Sequence, residues 1–173
     1  INADTLLNYP DFRAMERAFQ LMSQVAGRAG RKNGQGKVFL QTRMSDAPVI
    51  PHIVDNDYAQ FYNQQLAERM LFHYPPFYRL VYIYMKHRDI AVLEEFSELM
   101  GQQLRRIFEN RILGPDLPPV ARVKELYIRK IVLKIESGLS QYKVNEALQA
   151  LQQALTDNAR YRSIKMYYDI DPL

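Results

Sequence analysis

The chain has 173 residues, a net charge of +4 and no cysteine. That length suits one domain or two small ones, and an apolar share near half supplies a core and argues against global disorder. Without cysteine there are no disulfides or thiolate metal sites, no apolar run reaches the ~18 residues of a membrane span, and no signal peptide opens the chain.

Ile1-Asn2-Ala3-Asp4 reads as the end of a buried strand running into a loop, an end that a proteolytic cut or a chosen domain boundary would leave. From Asp11 to Ala26, Phe12, Met15, Phe19, Met22 and Ala26 recur at three-and-four spacing and predict an amphipathic helix that stops at Gly27. Gly30, Gly34 and Gly36 keep the chain in loop; Val38-Phe39-Leu40 predicts a short buried strand, and Asp46 to Pro51 a loop. A second helix, capped by Asp55 or Asp57, carries Tyr58, Phe61, Tyr62, Leu66 and Met70, and Tyr74-Pro75-Pro76-Phe77 ends it.

A second segment is expected over 75–173, after a first over 1–74. Arg79 to Lys86 is rich in Val, Ile and Tyr and predicts a strand. Asp89 to Asn110 predicts a long helix with Leu93, Phe96, Met100, Leu104, Ile107 and Phe108 inward. Gly114 to Pro119 reads as a rigid loop, followed by paired strands over Val120 to Lys124 and Leu126 to Ile135. A helix capped near Ser140 turns Val144, Ala147, Leu148, Leu151 and Leu155 inward, and Ser163 to Ile170 is the last strand. The order βαββαβ predicts a ferredoxin-like α+β sandwich.

The three histidines, His52, His73 and His87, show no paired ligand spacing, so no metal site is expected. The first segment holds eight basic and seven acidic side chains, the second fifteen and twelve. Neither is basic enough to name a nucleic-acid binder without local clustering. Such a cluster occurs at Arg122, Lys124, Arg129, Lys130 and Lys134, with Tyr127 among them and Glu125 as the one acid. Tyrosine for stacking and cations for phosphates suit a single strand; an ordinary solvated sheet face has the same composition.

The stretch richest in chemistry is Gln24-Val25-Ala26-Gly27-Arg28-Ala29-Gly30-Arg31. Gly27 and Gly30 let backbone turn and come close to a ligand, and two guanidinium groups three residues apart match phosphate oxygens. A surface loop with two solvated arginines is the alternative. The full pattern resembles motif VI of superfamily 2 helicases. Its flank Tyr9-Pro10-Asp11-Phe12-Arg13-Ala14-Met15-Glu16-Arg17, with Asn2-Ala3-Asp4 before it and Gln41-Thr42, Asp57-Tyr58, Phe61-Tyr62, Tyr74 to Phe77, Gly114-Pro115 and Asp169 to Pro172 after it, resembles the C-terminal part of the PriA family. The likeness covers the whole chain. Ile128 departs from it, standing after Tyr127 where the family tends to have arginine.

That resemblance implies the tail of a RecA-like second helicase lobe followed by a C-terminal domain. It implies a bacterial, cytoplasmic, ATP- and magnesium-dependent 3′-to-5′ DNA helicase that recognises stalled forks and restarts replication by primosome assembly. Arg31 would be the arginine finger, Arg28 its companion on the phosphates, and Gln24 a group that positions nucleotide or water; Gly27, Gly30 and Asp4 would lie at the nucleotide. No G-x-x-x-x-G-K-[ST] loop or evident acidic Walker B motif occurs here, so the chain by itself is expected to be inactive. Zinc ligands are expected only upstream. Implied partners are forked or single-stranded DNA, other primosome proteins and the acidic tail of single-stranded-DNA-binding protein. Lys143, beside Tyr142 near the start of the last helix, is the candidate for that tail. A DNA- or protein-binding module, or a piece of another superfamily 2 translocase, is the other reading.

Overall fold

The computed structural model describes residues 3–29 and 37–172, which divide into two units, one ending at Phe72 and one beginning at His73. Gly30 and Arg31 lie outside the described residues.

The first unit is helical: α1 (Ala3–Leu7), α2 (Ala14–Ala29), α3 (Val49–Asp55) and α4 (Tyr58–Leu71). Its core joins Ala3 and Leu7 of α1, Ala18, Phe19 and Met22 of α2, Val49 of α3 and Phe61 of α4, with Phe19 and Phe61 stacked at 4.7 Å. Ion pairing of Arg69 with Glu16 ties α4 to α2. Ala3–Leu7 is therefore helix and not a strand end. Helix α2 runs through Gly27 to Ala29, and Ala26 is exposed, because Ala14, Ala18, Phe19 and Met22 form the buried stripe. Pro51, expected in a loop, sits in the first turn of α3, where the N–H that proline lacks has no partner within the helix anyway.

Val38-Phe39-Leu40 forms no strand, and Phe39 is 90% exposed. A strand needs a neighbour to take its backbone hydrogen bonds. Among the described residues this unit contains none.

The second unit is α+β. Its strands are β1 (Tyr78–His87), β2 (Ile112–Asp116), β3 (Arg122–Val123), β4 (Leu126–Glu136) and β5 (Lys165–Ile170). Between them run α5 (Ile90–Phe108) and α6 (Gln141–Thr156). All pairings are antiparallel, in the order β2-β4-β1-β5, and β3 adds a short hairpin to β4. Two helices on one face of such a sheet give the expected βαββαβ sandwich, with one change. The edge partner of β4 is Ile112–Asp116, whose Gly114 to Asp116 were expected in a loop, and only two residues of the expected strand at 120–124 pair. Pro118 and Pro119 interrupt the run before it and cannot donate to a ladder.

Alternation along the strands assigns the faces. Val81, Ile83 and Met85 of β1 and Ile131, Leu133 and Ile135 of β4 meet Leu93, Phe96, Met100, Leu104 and Phe108 of α5 and Val144 and Leu148 of α6. Burying a side chain such as Phe96 contributes roughly 1.5–3 kcal/mol. Ile107 is half exposed, since Phe108 continues the buried stripe one turn after Leu104. Small residues Ser97 and Gly101 fill the same face of α5; a Cβ on Gly101 would lie 3.2 Å from the Pro115 ring, so glycine lets β2 approach.

Candidate functional site

The last turns of α2 present Gln24, Gly27 and Arg28 to solvent. Gly27 makes no turn here; it is helical, and a Cβ added to it would meet nothing within 4 Å. Its surface is thus open to close approach. Arg28 lies in the last helical turn, where the helix dipole favours a cation. An exposed guanidinium beside an amide side chain and an open glycine fits a phosphate group. Met22, Val25 and Ala26, with Val38, Phe39, Leu40, Ile53 and Val54, line an apolar groove of about 290 Å³ beside these turns.

Asp4 is used structurally. Its carboxylate accepts hydrogen bonds from the Thr42 hydroxyl and the Arg43 amide, which hold its pKa below the ordinary carboxylate value. The residue ties α1 to the segment at 42–43, so a nucleotide would compete with two existing donors.

In the second unit the strand geometry divides the expected basic cluster. Arg122 lies over the Tyr127 ring at 4.7 Å, and its Nε donates to the Lys124 carbonyl at 3.1 Å. Arg129 points to the helix side and pairs with Glu94 of α5 at 2.6 Å; its side chain is 13% exposed. It is an internal tie more than a surface cation. Tyr127 packs partly against the same core. Lys130 and Lys134 lie on the opposite face, over the rings of Tyr82 at 4.5 Å and Tyr74 at 3.8 Å. Burial holds the Lys134 pKa below the ordinary lysine value. Tyr142 and Lys143 are exposed on the first turn of α6, directly after the cap position Ser140 and Gln141.

Tyr82, Tyr84 and Tyr167 stand on the sheet face opposite α5 and α6: Tyr84 and Tyr167 are register partners across β1 and β5, stacked at 4.7 Å, and Tyr82 meets Tyr84 edge-on at 6.2 Å. Strand parity carried that signal, since Tyr82 and Tyr84 alternate with the core residues Val81, Ile83 and Met85. At the end of the sheet, His87, Arg88, Val123, Lys124, Glu125, Leu126, Ser163 and Lys165 line an open cleft of about 760 Å³. His87 Nδ1 accepts from the Asp89 amide and Nε2 lies 2.9 Å from the Ser163 hydroxyl.

No helix among the described residues is long and apolar enough to cross a membrane. The family model of the primosomal protein N C-terminal domain matches residues 70–173. The chain is 34% identical over 160 residues to replication restart protein PriA of Bacillus subtilis, a match covering 91% of this chain and 19% of that protein. It is 46% identical over 175 residues to the Chlamydia pneumoniae PriA, covering all of this chain and 23% of that protein. The Haemophilus influenzae PriA is 35% identical over 177 residues, covering 99% and 23%. The chain thus spans about a fifth of the length of the curated relatives it matches. With more than half of its residues matched by the family model, the chain belongs to the primosomal protein N C-terminal domain family.

Proposed function

We propose that this chain is the C-terminal part of an ATP-dependent 3′-to-5′ DNA helicase that recognises stalled forks and restarts replication by assembling a primosome in the bacterial cytoplasm. The carrying observation is the exposure of Gln24 and Arg28 on the last turns of α2, followed in the same chain by a unit of the primosomal family. The first unit is read as the end of a second RecA-like lobe. Arg28 and Arg31 would reach ATP and magnesium held by upstream parts of the whole protein, and zinc would be bound upstream as well. The nucleotide supplies the phosphoryl group. The guanidinium of Arg31 neutralises charge that grows on the phosphoryl oxygens during transfer, Arg28 holds the phosphates, and Gln24 positions water or nucleotide. Forked and single-stranded DNA, the primosome proteins and the acidic tail of single-stranded-DNA-binding protein are the proposed partners, the last with Lys143 taking its charge.

Two measurements test the reading. This chain by itself should show no DNA-stimulated ATPase. In the intact protein, Arg31→Ala should lower turnover by on the order of 10³ while largely sparing ATP binding. A loss of less than tenfold removes Arg31 from the finger role, and clean hydrolysis by this chain overturns its reading as an incomplete motor.

A further inference from the structure

We infer that the sheet face opposite α5 and α6 is a stacking platform for single-stranded DNA, centred on Tyr84 and Tyr167 and bounded by Lys86, Lys130 and Lys165. The inference rests on the DNA reading above and assigns it a surface distinct from the Arg122-Tyr127 side.

Four observations converge. First, Tyr84 and Tyr167 form a stacked pair at 4.7 Å with planes 12° apart, and Tyr167 is 42% exposed. On the helix side, buried Tyr161 and partly buried Tyr168 instead bond their hydroxyls, to Glu95 and Gln152. Second, the Lys86 ammonium lies 4.5 Å from the centre of the Tyr167 ring. A base can take that ring face, because base–aromatic stacking outweighs an exposed cation–π contact. The displaced ammonium then moves to a phosphate, so one substitution of contacts satisfies both ligand groups.

Third, the charge is placed for a polyanion. Lys86 and Lys165 are register partners at one end of the platform, and Lys130 is the partner of Tyr84 on its other side. Asp169, partner of Tyr82, Asp116, partner of Lys130, and Glu136, partner of Tyr78 and ion-paired with Arg111, stand on this face and lie away from the Lys86–Lys165 end. Fourth, that end opens into the cleft lined by His87, Arg88, Lys124 and Lys165, whose one acid, Glu125, is paired with Arg88 at 3.4 Å. A strand leaving the tyrosines toward Lys165 therefore continues into basic surface. Stacking reads no particular base, so binding should be tolerant of sequence.

The experiment is a fluorescence-anisotropy titration of a labelled oligo(dT) into this 173-residue chain at low salt, with circular dichroism to confirm folding. Tyr167→Ala should weaken binding about tenfold, and Tyr167→Phe, which keeps the ring, should stay near the parent. Lys86→Gln with Lys165→Gln should weaken binding and flatten its salt dependence by about 1.4 in log–log slope, two single-strand phosphate contacts. Ultraviolet crosslinking from a halogenated pyrimidine should mark Tyr84 or Tyr167, a readout that a purely structural tyrosine would not give. If the parent binds and none of these changes matters, the platform is wrong while the DNA reading stands. If the parent fails to bind oligo(dT), or prefers the matched duplex, the platform is overturned, and the Arg31 measurement judges the helicase reading separately.

Discussion

A methyl group on Gly114 would lie 2.9 Å from the Lys130 carbonyl oxygen, on a backbone at φ +91° that L side chains rarely adopt. Gly27 is the opposite case, helical with open space around its Cα. Gly114→Ala should therefore destabilise the second unit by about 2 kcal/mol. Gly27→Ala should stabilise α2 by about 0.5 kcal/mol, since glycine costs a helix conformational entropy. Chemical denaturation followed by circular dichroism checks both, and equal effects would contradict the geometry. The two glycines look alike in the sequence because neither letter carries φ. Arg129 was opaque for a related reason: its charge was visible, but its pairing with Glu94 depends on how α5 crosses β4.

Periodicity located α5 closely, where burial lies on one side, but placed both ends of α2 about three residues early. The stripe Leu93, Phe96, Met100, Leu104 predicted α5, and its start at Asp89 is a true cap, accepting from the amides of Ala91 at 2.8 Å and Val92 at 3.3 Å. Ser140 stands at the equivalent place before α6 but makes no side-chain cap bond. Asp89→Ala should thus cost about 1 kcal/mol and Ser140→Ala only a few tenths. Thermal unfolding of the two variants measures the contrast; similar losses would mean that the cap bonds do not decide it. Where the sequence misled, at Val38–Leu40 and at Gly114–Asp116, the missing information was pairing. A short apolar run is compatible with a strand but does not state its neighbour. The first run has none among the described residues, and the second, despite Gly114 and Pro115, lies along β4.

At the scale of the molecule, the two cores differ in kind. In the second unit, β1 is paired on both sides from Val81 to Lys86, and its inner face is covered by α5 and α6. Opening it requires breaking two ladders and exposing Phe96, Met100 and Leu104 together. In the first unit the core cluster is smaller, α1 has 5 residues and α3 has 7, and Val54, Tyr58, Met70 and Leu71 remain exposed. Helices that short depend on packing for their stability. Local opening in the first unit should therefore cost less free energy than opening the sheet. Native-state hydrogen exchange tests this directly. Amides of Val81, Ile83, Met85, Ile131 and Leu133 should be the slowest in the chain, with those of α1 and α3 at least about tenfold faster. Exchange of α1 or α3 as slow as the central strands would contradict the ranking, and a single cooperative block would contradict the division into two cores.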